Sequence, residues 1–228
     1  MINPLIQAIV GSTAYGLNTV NSDVDRLAIF AYDTEDFFGL IVPKDSIVET
    51  KPDITRHEVA KVARLLLSCN PTVTELLWLP DYLYELMTPL GQDLLDIRAS
   101  FLSAKRVKDA YMGYATQQFH RLMTRGDGKF DSDTGNRTAK HARHLRRLTV
   151  QGFQLYTTQS MQIRLDDPQS YHDFGEAVTK DPRVAADYMA QVEEKFNSVT
   201  TVLPESPDTV PVEKWLKKVR RNFYNSFT

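Results

Sequence analysis

The stretch that decides the fold is Val10–Phe30, VGSTAYGLNTVNSDVDRLAIF. Gly11 and Ser12 close one apolar run and open a segment rich in Thr, Asn and Ser. Asp23 and Asp25 follow at the mouth of a second apolar run. Alternate residues of a strand project to one side, so a strand beginning at Val24 points the two carboxylates together. Like charges that close repel, and a cation between them relieves the conflict. A hard divalent ion takes oxygen ligands, and Mg²⁺ is commonly held by one or two carboxylates plus substrate phosphates. Gly11 allows a phosphate to approach the backbone. If the next residues are helical, the Ser12 hydroxyl and the free N–H groups bind that phosphate. The stretch then pairs a phosphate cradle with a metal platform. The plain alternative is that Asp23 and Asp25 are solvated turn carboxylates, since short motifs recur by chance.

Outward from this stretch, the first third reads as mixed α/β. Leu5–Val10 is a buried strand by composition, and Val24–Tyr32 alternates as a second. SIVET and DITRH are shorter strands around Lys51-Pro52. From Glu58 the pattern turns helical, with Val59, Val62, Leu65 and Leu66 at helical spacing. Asn70-Pro71 reads as an N-cap and first helical residue, and Pro80 ends that helix. Residues 101–124 form an amphipathic helix through Val107, Tyr111, Tyr114, Phe119 and Leu122. RGDGKFDSDTGN (125–136) reads as a polar loop and TAKHARHLRRLTVQGFQLY (138–156) as a helix with a basic side. Asp181-Pro182 and Pro211 open the last two helices. The expected plan is an α+β protein. Residues 1–80 form an α/β core with a mixed sheet, and residues 81–228 a helical domain.

Composition narrows the class. The chain has 228 residues, 42% of them hydrophobic and 25% charged, enough for one large or two small domains. A net charge of -2 argues against a broad basic coat and leaves room for a local basic face. One cysteine, Cys69, excludes an intrachain disulfide framework and a Cys-only zinc site. No apolar run reaches the ~20 residues of a membrane helix. MINPLIQAIV lacks the features of a signal peptide. The expectation is a cytoplasmic protein.

GSTAYGLNTVNSDVD resembles the signature of the DNA polymerase β-like nucleotidyltransferase superfamily, a Gly-Ser followed by Asp-x-Asp. The intervening AYGLNT and the following SD-x-D resemble more narrowly the RlaP branch, associated with bacterial and phage RNA repair. DITRHEVAKVARLLLSCNPTVTELLW (53–78) is similar to that branch's second block, and KRVKDAYMGYATQQFHRL and AKHARHLRRL to its helical blocks. The resemblance spans roughly residues 10–148. It implies transfer of a nucleoside monophosphate from an NTP to an acceptor, with two Mg²⁺ or Mn²⁺ ions and release of pyrophosphate. It implies that Asp23 and Asp25 are metal ligands and that a third carboxylate helps activate the acceptor hydroxyl. Asp53 matches that third acid, and Glu58 is the other candidate, although an acid there also suits a helix start. Gly11 and Ser12 are implied as the triphosphate seat. The ring of Tyr15 either stacks on a base or packs.

On AKHARHLRRL, Lys140, His144 and Arg147 stand at i, i+4 and i+7, on one helix face. Such a face binds a triphosphate or an RNA backbone; a merely solvated basic face is the competing reading. His141 and His144 also have the spacing of a metal pair, with no third ligand assigned beside them. Lys61 is either a phosphate contact or a surface lysine. Lys217, Lys218, Arg220 and Arg221, beside Trp215 and Phe223, either bind nucleic acid or belong to a packed helix with solvated charges. Three other functions compete with RNA-end transfer: AMPylation of a protein or modification of a small molecule, non-catalytic nucleotide or RNA binding, and metallohydrolysis at His141 and His144.

Overall fold

The computed structural model describes residues 2–20, 22–123 and 132–224. The chain divides into two compact units, Met1–Leu102 with Ser206–Thr228, and Ser103–Glu205.

The first unit is built on a five-stranded sheet, with β1 (Ile2–Ile9), β2 (Arg26–Tyr32), β3 (Ser46–Thr50), β4 (Asp53–Glu58) and β5 (Tyr84–Met87) in the order β3-β4-β2-β1-β5. β2 runs parallel to β4; the other neighbours are antiparallel. Leu27–Ala31 are all buried. That unbroken apolar run is what a central strand covered on both faces requires. Between β1 and β2 lies the short helix α1 (Gly11–Tyr15), closed by Gly16 in the left-handed region at φ 78°. A hairpin with a cis Lys51-Pro52 bond joins β3 to β4.

Helix α2 (Val59–Leu67) follows β4 directly and buries Val59, Val62, Ala63 and Leu66. Glu58 caps it, its Oε2 accepting from Ala60 N at 2.8 Å. Asn70 caps α3 (Pro71–Thr74), accepting from Val73 N at 3.2 Å, as its sequence signature predicts. Thr88 caps α4 (Pro89–Asp96) in the same way through Gly91 N.

The second unit is helical: α5 (Ala104–Met123), α6 (Ser132–Thr158), α7 (Pro168–Lys180) and α8 (Arg183–Ser198). α5 and α6 approach closely because Gly152 has no Cβ; one there would sit 2.5 Å from Cβ of the fully buried Tyr111. α7 and α8 meet another face of α6. Arg146 lies 4.7 Å over the Tyr171 ring, and Thr149 bonds Tyr188 at 2.8 Å. The two ends of the unit are tied by Ala104 N donating to Pro204 O at 2.9 Å.

The last helix, α9 (Thr209–Asn222), belongs to the first unit. It buries Val212, Trp215 and Val219, and Trp215 Nε1 donates to Leu90 O at 2.9 Å. Arg220 Nη2 lies 2.6 Å from Glu58 Oε1 and the guanidinium 4.3 Å over the Phe37 ring.

Several expectations are revised. The compact units part at 102/103, and not at residue 80. β5 pairs with β1 and α4 holds Trp215, so both extend the first unit beyond Pro80. β2 begins at Arg26, two residues later than its pattern suggests. The loop expected over 125–136 lies partly outside the described residues, and α6 already runs from Ser132. β5, α4 and α7 have no counterpart in the sequence reading and are structural findings. The basic C-terminal helix takes its packed reading, with Trp215 buried and Arg220 ion-paired.

Candidate active site

β1 ends where Val10 N donates to Asp25 O at 2.9 Å. That bond brings the Gly-Ser corner against the aspartate segment, across an apolar strand pair whose register runs to Ile9↔Arg26. Gly11 takes a left-handed φ of 69°, and an added Cβ would fall 2.2 Å from Asp25 Oδ2. The glycine is therefore required twice, for its backbone angle and because the Asp25 carboxylate occupies the space of a side chain. Ser12 follows in the first turn of α1, whose leading N–H groups have no helical partner.

The two candidates for the third acid, Asp53 and Glu58, lie at opposite ends of β4. β2 and β4 are parallel, with Arg26 opposite Ile54. Asp25 immediately precedes Arg26 at the start of β2, and Asp53, the first residue of β4, immediately precedes Ile54. Asp53 is exposed and Asp25 half-buried. Glu58, the other candidate, is 3% exposed, caps α2 and ion-pairs with Arg220; it faces the opposite end of β4.

Asp23 is exposed and precedes β2 in irregular chain, so the strand rule that was to align it with Asp25 does not govern it. Among the described residues no three of His, Cys, Asp and Glu gather as a metal cage. Asp23, Asp25 and Asp53 are thus not assembled into a closed ligand set. The donor set still suits a hard divalent ion: carboxylate oxygens only, one pressed against a glycine that leaves the approach open. Mg²⁺ ordinarily completes such a partial set with water and substrate phosphate.

Tyr15 is buried, and its hydroxyl donates to Glu75 Oε1 and Oε2 at 2.7 Å. Its ring is packed in the core, the second of the two readings open for it. Glu75, at 2% exposure, ties α1 to the turn after α3 through this bond. Lys61 Nζ pairs with Asp45 at 3.1 Å and Ser46 at 2.5 Å.

The remaining expected residues lie in the second unit. Along α6, Lys140 is exposed, His144 half-buried and Arg147 3% exposed. Arg147 Nη2 donates to His144 Nδ1 at 3.0 Å and Nη1 to Gln151 Oε1 at 2.5 Å. His141 Nδ1 bonds Gln118 Oε1 of α5 at 2.7 Å. Burial first, then the charges of Arg147, His141, Arg121 and Lys140, push the His144 imidazole down to about 3. Gln118 and Arg121 are members of this cluster that sequence reasoning missed. Their pairing with α6 across two helices leaves no local signal.

A mixed sheet with a Gly-Ser corner, acids at adjacent strand starts and a helical unit after it defines the α+β polymerase β-like nucleotidyltransferase fold. The chain matches the family described as the RNA repair pathway DNA polymerase beta family, RlaP, over residues 3–196, and it belongs to that family. It is therefore an enzyme of the polymerase β-like nucleotidyltransferase class, associated with RNA repair. No curated protein matches the chain significantly. No helix among the described residues is long and apolar enough to cross a membrane.

Proposed function

We propose that the protein transfers a nucleoside monophosphate from an NTP to an RNA end, releasing pyrophosphate, in the cytoplasm. The observation that carries this reading is the Asp25 carboxylate seated against Gly11, with Asp53 one strand away in register. Asp23, Asp25 and Asp53 hold the divalent ions, Mg²⁺ or Mn²⁺. Two such ions, when bound, stabilise charge on the triphosphate and acidify the acceptor hydroxyl. Gly11 lets the Asp25 carboxylate sit against the backbone, and the Ser12 hydroxyl donates to a triphosphate oxygen. Asp53 accepts the acceptor's proton. Lys140 and His144 bind phosphate, of the NTP or of the RNA backbone, with the buried Arg147 held behind His144.

The test is a panel of labelled NTPs with Mg²⁺ or Mn²⁺ against mixed small RNAs and, in parallel, total protein. Label on RNA with pyrophosphate release is the expected result, abolished by the double substitution Asp23→Asn and Asp25→Asn in a folded protein. Label on protein alone would redirect the acceptor to AMPylation. Full activity in the double variant would overturn the mechanism.

A further inference from the structure

The α5–α6 cluster contains an arrangement that its sequence pattern does not reveal. A guanidinium can only donate. Its 3.0 Å contact to His144 Nδ1 therefore makes that nitrogen an acceptor. His144 then carries its proton on Nε2 and is neutral. Arg147 is itself held, being 3% exposed and bonded to Gln151, so the tautomer is set from the buried side of the cluster. The same side chain also opposes protonation by its charge. From the exposed end, Lys140 of α6 and Arg121 of α5 bring positive charge to the same imidazole. His141 is the other titratable group facing it, and its Nδ1 is occupied by Gln118. α7 also reaches this side of α6, where Tyr171 feels the charges of Arg146 and Arg147 and Gly175 lies against Arg143, while α8 meets Thr149 through Tyr188.

Resting on the phosphate-binding reading above, we propose that Arg147 is a positioning residue that locks His144 as a neutral Nε2–H donor, and that this imidazole, flanked by Lys140 and Arg121, hydrogen-bonds a phosphate oxygen. The pairing gives two distinct duties. Lys140 and Arg121 supply charge at the mouth, and His144 supplies a directed donor that does not titrate across the neutral range. A phosphate site using an ordinary histidine would strengthen as pH falls through 6.5, as the imidazole charges. This one does not strengthen. The phosphate belongs either to the nucleoside triphosphate or to the RNA backbone, which share the chemistry.

Nitrogen-15 histidine NMR of the intact protein, titrated from pH 5 to 8 and then with tripolyphosphate, tests this directly. His144 is expected to stay in the Nε2–H form throughout and to shift on adding tripolyphosphate, whose dissociation constant should not tighten as pH falls from 8 to 5.5, the ligand itself losing charge over that range. His144→Ala should weaken tripolyphosphate about tenfold. Arg147→Met should free Nδ1 and raise the pH at which His144 charges, with burial still holding it below its ordinary value, and make binding tighten at low pH; Arg147→Lys, which still donates, should keep the lock if the methionine variant does not fold. Competition by magnesium-ATP against competition by single-stranded RNA without terminal phosphates assigns the source of the phosphate. An Nδ1–H tautomer or a protonated His144 at pH 7 would overturn the lock. Absence of any shift with tripolyphosphate, ATP or RNA would overturn the site. The Asp23→Asn, Asp25→Asn variant should retain this binding while losing transfer, so failure of the catalytic reading and failure of this one are separable.

Discussion

Replacing Gly11 by alanine isolates the contact on which the proposed chemistry rests. The new Cβ would stand 2.2 Å from Asp25 Oδ2 and 3.0 Å from its Cγ, where ordinary contact begins near 3.4 Å. The carboxylate must retreat by about 1 Å, and a misplacement of that size at a reacting centre costs roughly a hundredfold in rate. Alanine at a φ of 69° adds backbone strain of about 1–2 kcal/mol. A domain with about 5–15 kcal/mol of stability survives that loss. The melting temperature should fall by about 2–8 °C. Gly11→Ala should therefore remain folded at 25 °C by circular dichroism while its NMP transfer falls about a hundredfold. Gly16→Ala is the control: Gly16 has a similar left-handed angle, φ 78°, so it carries the strain and should keep most activity. Transfer by Gly11→Ala within threefold of the parent, in a protein of normal fold, would refute the role given to Asp25. So would equal activity losses in the two variants.

Asp53→Asn should abolish transfer with little change in melting temperature, whereas Glu58→Gln should lower stability and leave the residual rate per folded molecule near normal; the reverse would exchange the third acid. Tyr15→Phe removes a bond to a buried carboxylate and should cost about 1.5–3 kcal/mol in urea unfolding. Stability should also fall with acid. In the unfolded chain His144 gains a proton as pH drops through its ordinary 6.5, but in the folded protein only near 3. Stability is therefore fully present above 6.5 and declines below it, by up to about 1.4 kcal/mol per pH unit from this group. His57, whose imidazole is also pushed down by burial, acts in the same direction. Melting curves at pH 7 and 5, with and without His144→Gln, should show the slope flatten in the variant.

Much of the first unit is legible from residue order. The continuous run Leu27–Ala31 announces a doubly covered strand, and Asn70-Pro71 announces a helix start; both hold because their causes are local. Gly11 likewise reports a close approach, but what approaches is the Asp25 carboxylate and not the phosphate its pattern suggests. β5 escapes because four residues, YELM, become a strand only through pairing with β1. Asp23 shows a related limit: the strand period does not reach residues ahead of the strand, and β2 begins at Arg26. Tyr15 shows the same limit in reverse. Whether an aromatic beside a Gly-Ser corner stacks or packs depends on Glu75, sixty residues away. The choice between Asp53 and Glu58 likewise waits on the β2–β4 register and on α9. The duties of Lys140, His144 and Arg147 are legible as a face but not as tautomers, because Gln118 and Arg121 reach them from another helix.

The return of α9 to the sheet unit has a consequence for how the enzyme comes into being. Trp215 and Arg220, which meet Leu90 and Glu58, are made only after the roughly one hundred residues of the helical unit have been synthesised. At about 5–20 residues per second, the acid-bearing sheet waits several seconds or more on the ribosome for its last buttress. During that interval Glu58 lacks its arginine and the Trp215 seat stands open, while the helical unit can already fold. A chain interrupted by damage to its own message would thus yield a cation-lined helical unit without a finished catalytic sheet. Completion of the sheet unit is tied in this way to synthesis through α9.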